Sequence, residues 1–314
     1  MKWNLPTLTP LTTAQAVFKE ILAKRGITRE EATQLKKNPV SLIEWPERIA
    51  GIHEAAKAIS EAIYEKRPIY VFADYDVDGM TSGYVMTSCL EGLGATVEVY
   101  YPEREEGYGL SISFGKKLER LELPVKPLVV TVDNGITAVE PVQYLIDRGY
   151  PVVITDHHQP ADILPNCIIC DPWLDQKEGT HLAGVAVAWK VALLTEYYLE
   201  KKTGIEYDIV FDYLPFVGIG TVSDVMPMKL ENRAIVAWAL KQINSDKIPV
   251  FNAMKEIFGL KSITAKDIGW SIAPKLNSSS RLGDTRTAAG AFFLTEKEEL
   301  ERTLVEIALS PIHI

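Results

Sequence analysis

The chain has 314 residues, of which 47% are hydrophobic and 24% charged, enough to bury a full core in one large or two small domains. No segment is compositionally biased, which excludes a disordered or low-complexity protein, and no apolar run is long enough to span a bilayer. The net charge of -9 argues against nucleic-acid binding over the whole surface, yet leaves room for a basic groove beside an acidic cluster.

The opening MKWNLPTLTP lacks the basic-then-apolar layout of a secretory signal, so a cytoplasmic protein with no membrane association is expected. Residues 1–50 read as an N-terminal helical segment. It contains TAQAVFKEILAKRGI and TREEATQLKKN, with Thr28 and Glu31 spaced as a capping box. WPERIAGIHEAAKAISEAIYEKR supplies a further amphipathic helix.

From Pro68 the period changes. PIYVFADYD, ATVEVYYP, PLVVTVDNG, PVVITDHH and CIICDPW are short β-rich runs, the first four separated by helical stretches. Apolar strands alternating with helices predict an α/β fold, a parallel sheet flanked by helices, over residues 51–235. After Leu182 the pattern is mainly helical, and residues 236–314 read as a helical extension that includes the segment PKLNSSSR. Cys167 and Cys170 form a C-x-x-C, but no second cysteine pair or spaced histidine pair completes a zinc site, so they read as strand filler.

Four turns carry the chemistry: ADYDVDGMTS (73–82), VDNG (132–135), TDHHQP (155–160) and GTVSDVMP (220–227). They place Asp74, Asp76, Asp78, Asp133, Asp156, His157, His158 and Asp224 at loop positions. Ligands of open α/β sheets bind outside the carboxyl ends of the strands, so the turns that end strands converge on one crevice. Three carboxylates at alternate positions of DYDVDG repel one another unless protons or a cation neutralise them. Position 12 of a calcium loop starting at Asp74 would be Val85 rather than Glu, which excludes that motif. Oxygen ligands with one or two imidazoles suit Mn²⁺ or Mg²⁺. A pair of such ions roughly 3.5–4 Å apart would hold a phosphate and activate a water. Taken singly, each turn also fits a helix cap or a solvated turn; the four together do not.

In their order, these four turns are similar to the signature motifs of the DHH phosphoesterases. YYPEREEGYGLS (100–111), HLAGVAVAWKVA (181–192), GTVSDVMPMKLENR (220–233) and IAPKLNSSSRLGD (272–284) resemble the RecJ-type, single-strand-specific branch of that family, as does ILAKRGITREEA. The resemblance implies a DHH core at 51–235 and two bound ions, Mn²⁺ or Mg²⁺. It implies that Asp76 and Asp133 bind one ion, and that Asp78, Asp133, His157 and Asp224 bind the other, with Asp133 bridging. It leaves Asp74 open between ligand and support. His158 would face the scissile phosphate as a donor, and Asp156 would orient the histidines from behind.

Phosphate would fall to Arg104, Asn277 and Arg281. Tyr108 would stack on a base or pack in the core, and Gly184 would open a helix whose N–H groups face phosphate. His181 would contact substrate or hold the helix start. The activity implied is 5′-to-3′ hydrolysis of single-stranded DNA to 5′-mononucleotides in repair or recombination, with a single-strand-binding protein or a helicase as partner. The alternatives are a phosphodiesterase for short oligonucleotides or cyclic dinucleotides, and a scaffold in a replication or repair complex.

Two positions depart from the family pattern. Phe72 stands where a histidine is common, which would remove one imidazole ligand, and Ser280 stands where glycine is expected. The glycine-rich GGH signature of the family's associated C-terminal domain is not in this sequence, which leaves a fragment and a short homologue both open.

Overall fold

The structure, a computed structural model, describes residues 13–175, 181–281 and 285–309. Two capped helices come first. In α1 (Ala14–Lys24) the Thr13 hydroxyl accepts from the Ala16 N–H. In α2 (Arg29–Lys37) Thr28 and Glu31 form the expected capping box, each side chain accepting from the other's N–H. This satisfies two donors that a helix start leaves without partners. The chain then passes into α3 (Ile52–Tyr64).

The α/β unit follows as β1 (Ile69–Phe72), α4 (Val77–Gly92), β2 (Val97–Tyr100), α5 (Ile112–Glu119), β3 (Leu128–Val132), α6 (Val139–Ile146), β4 (Val152–Thr155) and β5 (Ile168–Cys170). All pairings are parallel and the strand order is β2-β1-β3-β4-β5. Side chains alternate across this sheet with period two. Ile69, Val71, Val130, Val132 and Val153 enter one apolar layer with α3 and α4. Phe72, Val129, Val152 and Ile154 enter the opposite layer with Phe114 and Leu118 of α5 and Val142 and Leu145 of α6. Coverage on both faces explains why β3 is buried along its whole length and apolar but for Thr131.

The rest is helical: α7 (Gly184–Thr203), α8 (Leu214–Ser223), α9 (Leu230–Ile243), α10 (Pro249–Ile257), a short α11 (Ala265–Asp267), α12 (Ala273–Arg281), α13 (Thr285–Gly290) and α14 (Lys297–Leu309). The larger apolar layer continues through them, from Trp189 and Val217 to Phe251, Leu276, Phe292 and Leu304. At roughly 1.5–3 kcal/mol per buried large side chain, this shared layer is the main force holding the helical half to the sheet. Lys190, buried in α7, adds a polar tie. Its Nζ donates to the Glu44 carbonyl and to Glu231 Oε1 at 2.5 Å each. This joins the N-terminal segment to α7 and α9 through a buried charge pair whose partners must all stay in place. No helix among the described residues is long and apolar enough to cross a membrane.

The strand order reverses between β1 and β3, since the chain steps from β1 to β2 and then back across. The crevice outside the carboxyl ends of a parallel sheet lies at that switch point. The turn after β1 carries Asp74 and Asp76, and the turn after β3 carries Asp133.

Candidate metal centre

Each acidic turn is built by local backbone chemistry. Asp76 caps α4, its Oδ1 accepting from the Gly79 N–H at 2.9 Å, and Asp78 follows in the first turn of that helix. After β3 the chain reverses at Asp133, whose φ of 61° lies in the left-handed region that aspartate tolerates better than most residues. Asn134 stitches this turn to its neighbour, with Nδ2 donating to the carbonyls of Phe72 and Val132. After β4, Asp156 Oδ1 accepts from the N–H groups of His157 and His158, and Oδ2 accepts from the Ile136 N–H. Asp224 ends α8.

These side chains meet in three groups whose possible ligand atoms lie within 4.8 Å of one another: Asp74, Asp76 and Asp133; Asp78, His157 and Asp224; and Asp133, His157 and His158. The Asp78 carboxylate is seated on the start of α7, accepting from the Gly184 N–H at 2.7 Å and the Val185 N–H at 3.0 Å. The N–H groups of Gly184 and Val185 are therefore not left open for the phosphate that the sequence suggested. They hold a carboxylate, because a helix N-terminus favours the nearest anion and Asp78 is already there. Gly184 is also needed for space, since a Cβ there would collide with the carboxylate of Asp133.

Burial drives the electrostatics. It pushes Asp74 up to about 7, with Asp76 adding repulsion. Asp224 rises to about 6 by burial and the charge of Asp76. Asp78 and Asp133 are raised well above the usual carboxylate range, by burial first and then by the neighbouring carboxylates. A group of buried carboxylates that resist ionisation together is what a cation relieves.

The two histidines diverge. His157 Nδ1 lies 2.9 Å from the Leu182 carbonyl, which only accepts, so Nδ1 carries the proton. Burial, and then the charge of His158, lower His157 to about 4, so the ring is neutral near pH 7. Its Nε2 lone pair then faces Asp133 Oδ1 at 3.0 Å, Asp78 Oδ2 at 3.7 Å and Asp224 Oδ2 at 3.8 Å. Asp133 Oδ1 is buried and accepts no hydrogen bond. A neutral imidazole lone pair opposed to three carboxylates is a ligand set that suits a shared divalent cation. His158 instead rests Nδ1 on Asp156 Oδ1 at 2.8 Å. That bond leads a rise to about 9, so the ring is cationic and carries a second N–H at Nε2. The side-chain bond and charge of His158, with the backbone bonds from Ile136 and His157, outweigh burial at Asp156 and hold its carboxyl below the usual range. Tyr108 reaches His158, its hydroxyl 3.2 Å from Nε2.

The remaining sequence candidates spread around this centre. Asn277 comes in from α12, with Oδ1 accepting from the Val77 N–H at 3.2 Å at the start of α4. The His181 carbonyl accepts from Asn232 Nδ2 of α9. Phe72 points away from the crevice, ringed by Tyr100 at 5.6 Å and Phe114 at 4.9 Å. Ser280 is buried, its hydroxyl donating to the Asn277 carbonyl. The side chains of Arg104 and Arg281 lie outside the described set. Sequence reading missed the Leu182 carbonyl, which fixes the His157 tautomer, and Trp173, whose Nε1 donates to the His157 carbonyl at 3.0 Å. No sequence spacing signals either, since both act through main-chain oxygen.

Comparison with known proteins agrees with this geometry. The model of the DHH family, N-terminal domain, matches residues 68–221. The single-stranded-DNA-specific exonuclease RecJ of Salmonella typhimurium is 32% identical over 281 residues, covering 85% of this chain and 48% of the relative. RecJ of Thermus thermophilus is 30% identical, covering 98% of this chain and 45% of the relative. The chain thus spans about half the length of these curated relatives. A crystal structure of exonuclease RecJ bound to manganese superposes with a TM-score of 0.74 at 29% identity, covering 85% of this chain and 66% of that one. The crystal structure of Thermus thermophilus RecJ in complex with Mn²⁺ gives 0.73 at 26% identity, covering 94% and 43%.

Proposed function

Through residues 68–221 the chain belongs to the DHH family, and from that premise we propose that it is a two-metal-dependent exonuclease acting on single-stranded DNA. The observation that carries this reading is His157, whose neutral Nε2 faces the carboxylates of Asp133, Asp78 and Asp224. In the proposed assignment Asp74, Asp76 and Asp133 hold one Mn²⁺ or Mg²⁺, and Asp78, Asp133, His157 and Asp224 hold the other. Bound there, two such ions would polarise a phosphate and lower the pKa of a water between them.

The chain's own residues then have distinct tasks. Asp156 fixes the ring of His158 and keeps it protonated, so that its Nε2 N–H donates to the scissile phosphate or the leaving oxygen. Tyr108 adds a hydroxyl beside both ring nitrogens. Asp78, held by the start of α7, keeps the two helices in register with the metal ligands. Asn277 closes the site from α12, its amide donors available to a phosphate, with Arg104 and Arg281 as its expected companions.

Polarity from the 5′ end, release of 5′-mononucleotides, a repair or recombination setting, a single-strand-binding or helicase partner, and a cytoplasmic location follow the relatives. The division at residues 50 and 235 is proposed likewise. The test is an assay with 5′- and 3′-labelled single strands under Mn²⁺, Mg²⁺ and chelator. Metal-dependent release of mononucleotides from the 5′ end is expected. Cleavage of dinucleotides but not of long strands would shift the substrate to short oligonucleotides, and an inert protein that binds no metal would leave a scaffold.

A further inference from the structure

Trp173 is a feature that the metal centre leaves unexplained. It is 49% exposed and belongs to neither apolar layer, so burial does not account for it. It is nevertheless fixed at two points. Its backbone N–H donates to Asp171 Oδ1 at 2.8 Å, and its indole Nε1 donates to the His157 carbonyl at 3.0 Å. Asp171 is itself fully buried, and its own N–H is bonded to the Ala50 carbonyl. Pro172, between them, further stiffens the turn. The indole is therefore held against the main chain of a proposed metal ligand, with its polar atom satisfied inward and ring surface left open to solvent.

The neighbouring histidine has an aromatic partner too: Tyr108, 53% exposed, rests its hydroxyl on His158. Tyr108 is likewise outside both apolar layers. Two open aromatic rings thus flank adjacent residues of one site, each tethered to it by a hydrogen bond. A ring ordered before binding loses little entropy when a flat ligand settles on it. The net charge of -9 strengthens the case, because a chain this acidic draws little affinity from general attraction to phosphates. Stacking on a neutral indole adds affinity without charge and tolerates any base sequence.

We propose that Trp173 is a stacking platform for a nucleobase of the single strand flanking the scissile phosphate. This deepens the exonuclease reading and rests on it. Trp173 is a binding residue in this proposal, and its loss acts on the base and not on the metal ions.

The test is the affinity of a 5′-phosphorylated phosphorothioate strand, which resists hydrolysis, measured by fluorescence anisotropy with Mn²⁺ present. A matched strand with abasic sites at its 5′ end is run beside it. Trp173→Ala is expected to weaken the base-bearing strand about tenfold, within the range measured for base–aromatic contacts, and to leave the abasic strand unchanged. Trp173→Phe, which keeps a ring but drops the bond to the His157 carbonyl, is expected to recover most of the affinity. An Ala variant that binds both strands as the parent does, or that loses both equally, overturns the proposal. If the parent cleaves strands normally in those circumstances, the exonuclease reading stands and only the stacking role fails. A parent that neither binds nor cleaves either strand removes both.

Discussion

At the carboxyl rim of the sheet, Asp74, Asp133, Asp156 and His157 each follow a strand end by one or two residues, so the parallel ladder sets their backbones. The helical half meets the cluster through the Gly184 and Val185 N–H groups that seat Asp78, and beyond these through single side chains. Asp224 arrives from the last turn of α8 with its side chain 29% exposed, and Asn277 arrives from α12 through one bond of 3.2 Å. The rim is dry, and its carboxylates bear the larger burial cost. The helical side is wetter and closes the crevice with single side chains. The rim thus suits binding of cations, and the helical side suits adjusting what lies above them.

Removing a rim ligand should therefore have the largest effect. Asp133→Ala takes away a carboxylate shared by two of the three groups. Its turnover of single-stranded DNA is expected to fall more than the roughly 10–100-fold typical of outer partners of a metal site. Calorimetry should show Mn²⁺ binding falling with it, and retained binding would break the distinction between rim and helices.

Asp156→Asn comes next, with a loss of about 10–100-fold, because it acts through His158 and not through an ion. The same change removes the carboxylate that raises His158 to about 9. The alkaline limb of the pH–rate profile should move to lower pH. A loss of rate with an unmoved alkaline limb would instead point to disruption of the turn.

The rim should also reveal itself in stability without metal. Asp74 and Asp224 have folded pKa values of about 7 and about 6, above their ordinary value of 3.8. Between those limits the folded state binds more protons than the unfolded one, so stability falls as pH rises from about 4 to about 7. Chelated protein should therefore show a Tm that declines across that window, and saturating Mn²⁺ should flatten the decline. A Tm of chelated protein that rises over the same range contradicts the account.

Smallest is Asn277→Ala. It deletes one hydrogen bond at the rim of α4, a change of about 1 kcal/mol, so thermal unfolding should shift only slightly. The KM for single-stranded DNA should rise more than kcat falls if the helical side acts on the strand above the ions.

Much of this was readable from the chain alone. The five strands announced themselves as short β-rich runs, and three of the four acidic turns follow from where parallel strands end, while the fourth ends α8. What could not be read were contacts made across long separations. The bonds from Gly184 and Val185 to Asp78 span 106 and 107 residues, and that from Val77 to Asn277 spans 200. Sequence spacing carries no record of such meetings, so Gly184 was expected at a phosphate when it serves a carboxylate. Phe72 shows the opposite case. Its departure from the family's histidine was visible, but only strand parity shows that its ring belongs to the layer with Phe114.

The most direct test of the central claim is an anomalous difference map from crystals soaked in Mn²⁺. The account predicts two peaks, one among Asp78, His157 and Asp224 with His157 Nε2 as a ligand, the other among Asp74, Asp76 and Asp133. A map with no peak in this crevice, or with His157 Nε2 turned to a protein partner, would contradict it.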